Sequence, residues 1–256
     1  MAGKREKVLF LDIDEVFTTA GKPQERRVVE ESVARLVKAR DTAGYTRFAF
    51  ITARSGKWVL KEFYPFLQKH GLAGSSTIHC ENGLYEIVNG KFELSPEAQA
   101  FMPIRQLIAR EIEAEIAGRG VQAANASENA GKIVQVRFEP RTAEDAEALR
   151  LAVSAAIARL KETGRIPKAI RADITKSGVN IFPNIDKGTT ARMVERRILS
   201  ETGRKVRGKA IGDRPEEDGL MARGRHVKWR GVRGFEEFNR LMDNLTYRRP
   251  AKRRRI

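Results

Sequence analysis

Apolar and polar positions along this chain fall into two styles. Short continuous apolar runs, VLFL (8–11) and FAFI (48–51), read as strands buried on both faces, as in parallel sheets. KAIG (209–212) reads as a third, and HVKW (226–229) as a last one. Between them apolar residues recur at helical spacing, for instance at 28, 29, 33, 36 and 37 within a helix predicted over 28–40. A second helix is predicted over 53–71, ending near Gly71, with Pro65 placed to kink or split it. The pattern predicts two more from GTTARMVERRIL (188–199) and FEEFNRLMDNL (235–245), and RPEEDGLMARG (214–224) reads as a loop with a short helix.

The middle of the chain reads differently. After a short strand at 77–80, Glu81-Asn82-Gly83 turns, and Asn89-Gly90 between LYEIV and KFEL is a strong hairpin signal. A helix is predicted over 96–118, and KIVQVRFEP (132–140) alternates like a half-exposed strand. An Ala-rich helix follows over 142–163, with Thr142 and Asp145 as a capping pair, and then AIRADI and GVNIFP read as strands. Alternating strands and helices over 1–85 are thus interrupted by an antiparallel-looking insert over 86–182 and resume over 183–246. The expected fold is α/β, a parallel-sheet core with an inserted domain.

Composition narrows the classes. The 256 residues are enough for one large domain or two small ones. There is no apolar run of ~18 residues to span a membrane. The charged start MAGKREK leads at once into the first strand and leaves no room for a signal peptide. Cys80 is the single cysteine, read as a core residue in a reducing, cytoplasmic setting. His70, His79 and His226 lack metal-ligand spacing.

The net charge of +16 is uneven: residues 196–256 hold 19 Lys and Arg against 8 Asp and Glu. Residues 247–256, YRRPAKRRRI, form a basic tail suited to nonspecific contact with nucleic acid, or simply a solvated terminus. Tyr247 is the only aromatic residue near it, so base recognition has no support.

Chemistry gathers at strand ends. VLFL runs into Asp12 and Asp14, which point to the same side just past the strand's carboxyl end, the edge where open α/β sheets bind ligands. Two carboxylates so close repel unless one holds a proton or a cation compensates; a plain turn is the alternative. FAFI ends in Thr52, KAIG in Asp213, and Lys187 with Gly188 opens the helix after the insert. Two carboxylates, a hydroxyl, a lysine and a further acid on one sheet edge make a phosphoryl-transfer set.

In this order the residues resemble the four motifs of the haloacid dehalogenase (HAD) superfamily: Asp12-Ile13-Asp14, Thr52, Lys187, and Gly212-Asp213 with Asp218 five residues on. The Glu81-Asn82-Gly83 turn and IFPNIDKGTTARMV (181–194) resemble its Cof-type branch, which carries a large α+β cap between the second and third motifs. The resemblance implies a Rossmann-like HAD core at 1–85 and 183–246, a cap at 86–182, and Asp12 as nucleophile with Asp14 as acid and base. It further implies Mg²⁺ held by Asp12, Asp14 (through its backbone carbonyl), Asp213 and Asp218, with Asp218 ordering the metal shell or Lys187. Thr52 and Lys187 would bind phosphate, with Arg54 and Asn82 as further candidates. Two departures stand out: Glu15-Val16 replaces the usual Gly-Thr, and Thr52-Ala53-Arg54 replaces Thr-Gly-Arg.

Asp14 disfavours a dehalogenase, which needs no acid for its leaving group, and the lack of a span disfavours an ion pump. The expected activity is a Mg²⁺-dependent phosphatase for a small phosphorylated metabolite such as a sugar phosphate or phosphoglycolate. The alternatives are a phosphomutase of the phosphomannomutase type or a nucleic-acid-associated phosphatase using the tail. Arg137, Arg141, Lys168, Arg171 and Lys176 are basic cap residues placed to meet an anionic substrate.

Overall fold

The computed structural model describes residues 5–18, 26–175, 178–223 and 226–247. The tail at 248–256 and Lys176 therefore lie outside the described residues. In chain order the elements are β1 (Glu6–Leu11), α1 (Arg26–Ala43), β2 (Arg47–Ile51), α2 (Gly56–Glu62), α3 (Tyr64–Lys69), β3 (Ser76–Cys80), β4 (Tyr85–Val88), β5 (Lys91–Leu94) and α4 (Pro96–Gly118). There follow β6 (Ala123–Asn125), β7 (Val136–Pro140), α5 (Asp145–Glu162), β8 (Arg171–Thr175), β9 (Gly178–Phe182), α6 (Lys187–Thr202), β10 (Val206–Gly212), β11 (Val227–Gly231) and α7 (Phe235–Thr246). Two compact units emerge, one of residues 1–52, 60–78 and 186–256, the other of 53–59 and 79–185.

The first unit is an α/β layer structure on a sheet ordered β11-β10-β1-β2-β3. β11, β10, β1 and β2 run parallel, as their continuous apolar runs predict. Val8, Phe10, Ala49, Ile51 and Ala210 pack one face against Ala191, Val194 and Ile198 of α6. On the other face Phe17, Phe50, Phe63 and Phe238 make ring contacts at 4.8 to 5.8 Å. Each such buried ring contributes about 1.5–3 kcal/mol. Ser32 of α1 donates to Asn239 of α7 at 3.0 Å, joining the two helices on that side.

The second unit is α+β. β4 and β5 pair antiparallel through Asn89 (φ 50°) and Gly90 (φ 76°), the positive-φ pair that a two-residue hairpin turn needs. β6, β7, β9 and β8 form an antiparallel sheet. α4 and α5 pack together, burying Ile108, Ile112 and Ile116 from one helix and Leu149, Val153 and Leu160 from the other.

Several expectations shift. The helix expected over 53–71 is two, α2 and α3, with Pro65 in the first turn of α3, where its missing N–H costs nothing. The strand expected from 132 starts only at Val136. The backbone N–H groups of Ile133, Val134 and Gln135 donate instead to the buried Glu81 carboxylate, at 2.7, 3.2 and 2.8 Å. Those bonds, with Lys132 donating to Ala53 O at 2.7 Å, explain why 53–59 and 79–85, read as core from the sequence, group with the second unit. The helix after Thr142 begins at Asp145, whose N–H donates to Thr142 Oγ1 at 3.2 Å while the Thr142 hydroxyl donates back to its carboxylate at 2.8 Å. Among the described residues no helix is long and apolar enough to cross a membrane.

Candidate active site

Strand register assembles the site within the first unit. Leu11 pairs with Ile211 on β10 and with Phe50 on β2, so Asp12, Thr52 and Asp213 all emerge at the carboxyl edge of the parallel sheet. Asp12 keeps the ladder going one step, its N–H donating to Ile211 O at 3.0 Å. The chain then turns through Asp14 and Glu15, with Phe17 N–H donating to Ile13 O at 3.0 Å. Thr52 is buried where β2 ends.

Lys187 is the first residue of α6, whose cap Asp186 accepts from Thr189 N–H at 2.7 Å. Its buried ammonium lies 2.9 Å from Asp12 Oδ1 and 2.5 Å from Asp218 Oδ1. The other oxygen of Asp218 accepts from Arg214 N–H at 2.9 Å, and Asp218 N–H donates to Arg214 O at 2.7 Å. This fold-back requires a glycine at 212, since a Cβ there would sit 2.3 Å from Asp218 Oδ2. Lys187 thus bridges two buried carboxylates, Asp12 and Asp218.

Asp12, Asp213 and Asp218 each offer a carboxylate oxygen within 4.8 Å of the others. Asp213 Oδ1 is buried and has no hydrogen-bond partner among the described residues. An oxygen-only donor set with an unmatched buried oxygen fits a hard divalent cation. The Asp14 side chain is half-buried and outside this three-carboxylate cluster.

Electrostatics agree with that fit. Burial pushes Asp12 up to about 8, with Asp218 and Asp14 adding to the rise and Lys187 opposing it. Burial pushes Asp213 up to about 6, helped by the charges of Asp218 and Glu15. For Lys187, burial favours the neutral amine, but the Asp12 and Asp218 carboxylates outweigh it and hold the ammonium above its usual range. Excess negative charge is concentrated where a cation would relieve it.

Other sequence-predicted residues belong to the second unit. Arg54 and Asn82 belong to the second unit; the Arg54 guanidinium stacks 4.4 Å from the Trp58 ring centre, and Asn82 has φ 65°. Arg137 bonds Glu139 at 2.6 Å and Asn180 at 3.1 Å, and Arg171 bonds Asn184 at 3.2 Å, so both are engaged within their unit. Arg141 and Lys168 are exposed. The sequence reading missed three things: the need for Gly212, the use of Glu81 as an acceptor for three amides, and Glu15 at φ 53°. The last had a signal, because Glu15 stands where the resembled motif has glycine.

No protein-family model matches the chain, and no curated protein matches it. Solved structures do. The ATP-bound IMP-nucleotidase of Plasmodium falciparum aligns with a TM-score of 0.63 at 14% identity, over 94% of this chain and 60% of that one. The chain therefore spans about three fifths of that nucleotidase. Trehalose-6-phosphate phosphatase of Aspergillus fumigatus aligns with a TM-score of 0.60 at 13% identity, over 94% and 93% of the two chains. A trehalose-6-phosphate phosphatase related protein aligns at 0.53 and 13%, over 93% and 96%. At these identities the likeness is one of fold: a mostly parallel α/β core with an inserted α+β unit.

Proposed function

We propose that this chain is a Mg²⁺-dependent phosphatase that hydrolyses a small phosphorylated metabolite through an aspartyl-phosphate on Asp12. The observation that carries the reading is Lys187, buried at 2.9 Å from Asp12 and 2.5 Å from Asp218 beside the Asp213 carboxylate. Asp12, Asp213 and the Asp14 carbonyl would hold Mg²⁺, which when bound offsets the charge on the phosphoryl oxygens and favours ionised Asp12. An Asp12 oxygen attacks phosphorus, the bond from phosphorus to the ester oxygen breaks, and Asp14 gives that oxygen its proton. Asp14 then takes a proton from water as the water oxygen attacks phosphorus and the bond to Asp12 breaks, releasing inorganic phosphate. Lys187 and Thr52 bind phosphoryl oxygens through both steps, and Asp218 acts as a positioning residue that holds Lys187.

Two of the similar structures carry the names of a nucleotidase and a trehalose-6-phosphate phosphatase, both phosphate-ester hydrolases. The one that this chain matches nearly end to end supports a sugar phosphate as the first substrate to try. The Glu81-Asn82-Gly83 turn supports placement in the Cof-type branch, with the second unit as the cap that sets specificity. The buried single cysteine suits a cytoplasmic enzyme.

The test is phosphate release with Mg²⁺ from trehalose 6-phosphate, other sugar phosphates, phosphoglycolate and IMP, run beside Asp12→Asn. Turnover should fall at least about 10³-fold in the variant, the scale seen when a nucleophile is removed. A folded, metal-loaded wild type that releases phosphate from none of these would overturn the reading.

A further inference from the structure

Strand register places an unbalanced cationic surface on β10 and β11 of the first unit. In β10 and β11, Lys209 pairs with Lys228 and Ile211 with Arg230. Alternation puts Arg207, Lys209, Lys228 and Arg230 on one face of the sheet. The opposite face is the one packed on α6, through Val206, Ala210 and Val227. Arg207, Lys228 and Arg230 are exposed, and Lys209 is half-buried between them. Neither strand contains an acidic residue. Glu6 on neighbouring β1 belongs to the opposite face, since it is Lys7 that lies level with Arg207. Among the described residues, no carboxylate lies within 4 Å of any of the four cations.

Neighbouring strands are ~4.8 Å apart and alternate residues on a strand ~6.6 Å apart. Neighbouring charges are therefore ~5–8 Å apart, within a Debye length of ~8–10 Å, so salt screens their mutual repulsion only in part. Burial and the charges of Arg230 and Lys228 depress the Lys209 pKa. Such repulsion is relieved by an anion that spans several cations at once.

We propose that the Arg207–Lys209–Lys228–Arg230 face of β10 and β11 is a binding surface for the phosphate backbone of a nucleic acid. The surface offers cations without an aromatic platform, which suits backbone contact and not base reading. A membrane surface fits less well, because insertion needs apolar side chains among the cations. The exposed large apolar residues, Met102, Leu151, Ile174, Leu199 and Tyr247, all lie outside these two strands. The proposal does not depend on the phosphatase reading, and it concerns the folded sheet and not the basic tail.

The test is fluorescence anisotropy of a labelled 20-nucleotide RNA with the full-length chain, titrated at 50 to 200 mM salt. Wild type is compared with Lys228→Gln/Arg230→Gln and with a charge-matched tail variant, Arg253→Gln/Arg254→Gln. Four phosphate contacts to a single strand predict that wild-type affinity falls about 50-fold across that salt range. The sheet variant should lose about 1.4 from the log–log salt slope, the share of two contacts. The tail variant should lose clearly less. An unchanged slope in the sheet variant, an equal or greater loss in the tail variant, or binding to phosphatidylserine vesicles without binding to RNA would each overturn the proposal. Both replaced strand residues are exposed, and equal thermal melting of wild type and variant excludes unfolding as the cause of any loss.

Discussion

The Lys187 ammonium lies 2.5 Å from Asp218 Oδ1, with both side chains sealed from solvent, and the same nitrogen reaches Asp12 at 2.9 Å. Replacing the lysine leaves two buried carboxylates facing each other without a counter-charge. Lys187→Gln should cost about 3–5 kcal/mol in urea denaturation, the range for breaking a buried ion pair from one side. The double variant Lys187→Gln/Asp218→Asn should recover part of that loss, because no unpaired charge then remains on the Asp218 side. Additive costs in the cycle would mean that the two residues are not coupled.

Stability should depend on pH in a direction set by the acidic cluster. Asp12 is raised to about 8 and Asp213 to about 6, both from 3.8, so the folded state holds protons that the unfolded chain releases. Their contribution is full below about pH 4 and is lost as pH rises through 6 and then 8. The exposed acids with lowered values, such as Glu115 and Asp145, act only at lower pH. Protein stripped of metal should therefore melt at a lower temperature at pH 8.5 than at pH 5.5. Added Mg²⁺ should raise the melting temperature more at pH 8.5, since cation and protons compete for the same oxygens. Calorimetry in EDTA and in Mg²⁺ checks both, and a pH-independent melt would contradict the raised values.

Glu15 sits at φ 53°, in the left-handed region that side chains with a Cβ avoid. Glu15→Gly should stabilise the fold by about 1 kcal/mol, whereas Glu15→Ala, which keeps the Cβ, should not. The Glu15 backbone bond to Thr18 Oγ1 at 3.2 Å survives both changes, so the pair isolates the backbone effect. Chemical denaturation of the two variants distinguishes them.

Gly212→Ala tests the fold-back of Asp218. The added methyl would meet the Asp218 carboxylate and Cβ at 2.3 and 2.5 Å, and Asp218 cannot move without releasing Lys187. A loss of about 1–3 kcal/mol is expected from overpacking, together with weaker Mg²⁺ stabilisation of the melt. An alanine variant that melts like wild type and keeps its Mg²⁺ response would show that the carboxylate has another seat.

Glu81→Ala should leave the amides of Ile133, Val134 and Gln135 without their acceptor. Each buried donor so orphaned costs about 1–3 kcal/mol. Hydrogen exchange read by NMR should show these three amides losing protection, with the α6 amides of the first unit little changed. Retained protection at 133–135 would assign those amides another acceptor.

Much of this was legible in the chain because local pattern carries it. Unbroken apolar runs marked β1 and β2, Asn89-Gly90 marked the hairpin, and Pro96 to Gly118 bounded α4 closely. The strand-end positions of Asp12, Thr52 and Asp213 followed from the same runs, since a strand's end is a local property. The late start of β7 was not legible, because it depends on an acceptor more than fifty residues upstream.

By itself the sequence determined where most strands and helices lie, the order in which acids and lysine occur, and that an α+β segment interrupts an α/β one. Each is set by periodicity and turn chemistry within a few residues. Tertiary structure alone decided that Lys187 lies between Asp12 and Asp218, that Glu81 serves the amides of 133–135, and that four cations of β10 and β11 share a face. The physical reason is register. Which side chains meet depends on how strands align and where loops return, and that is settled by the joint packing of the whole core rather than by any one segment.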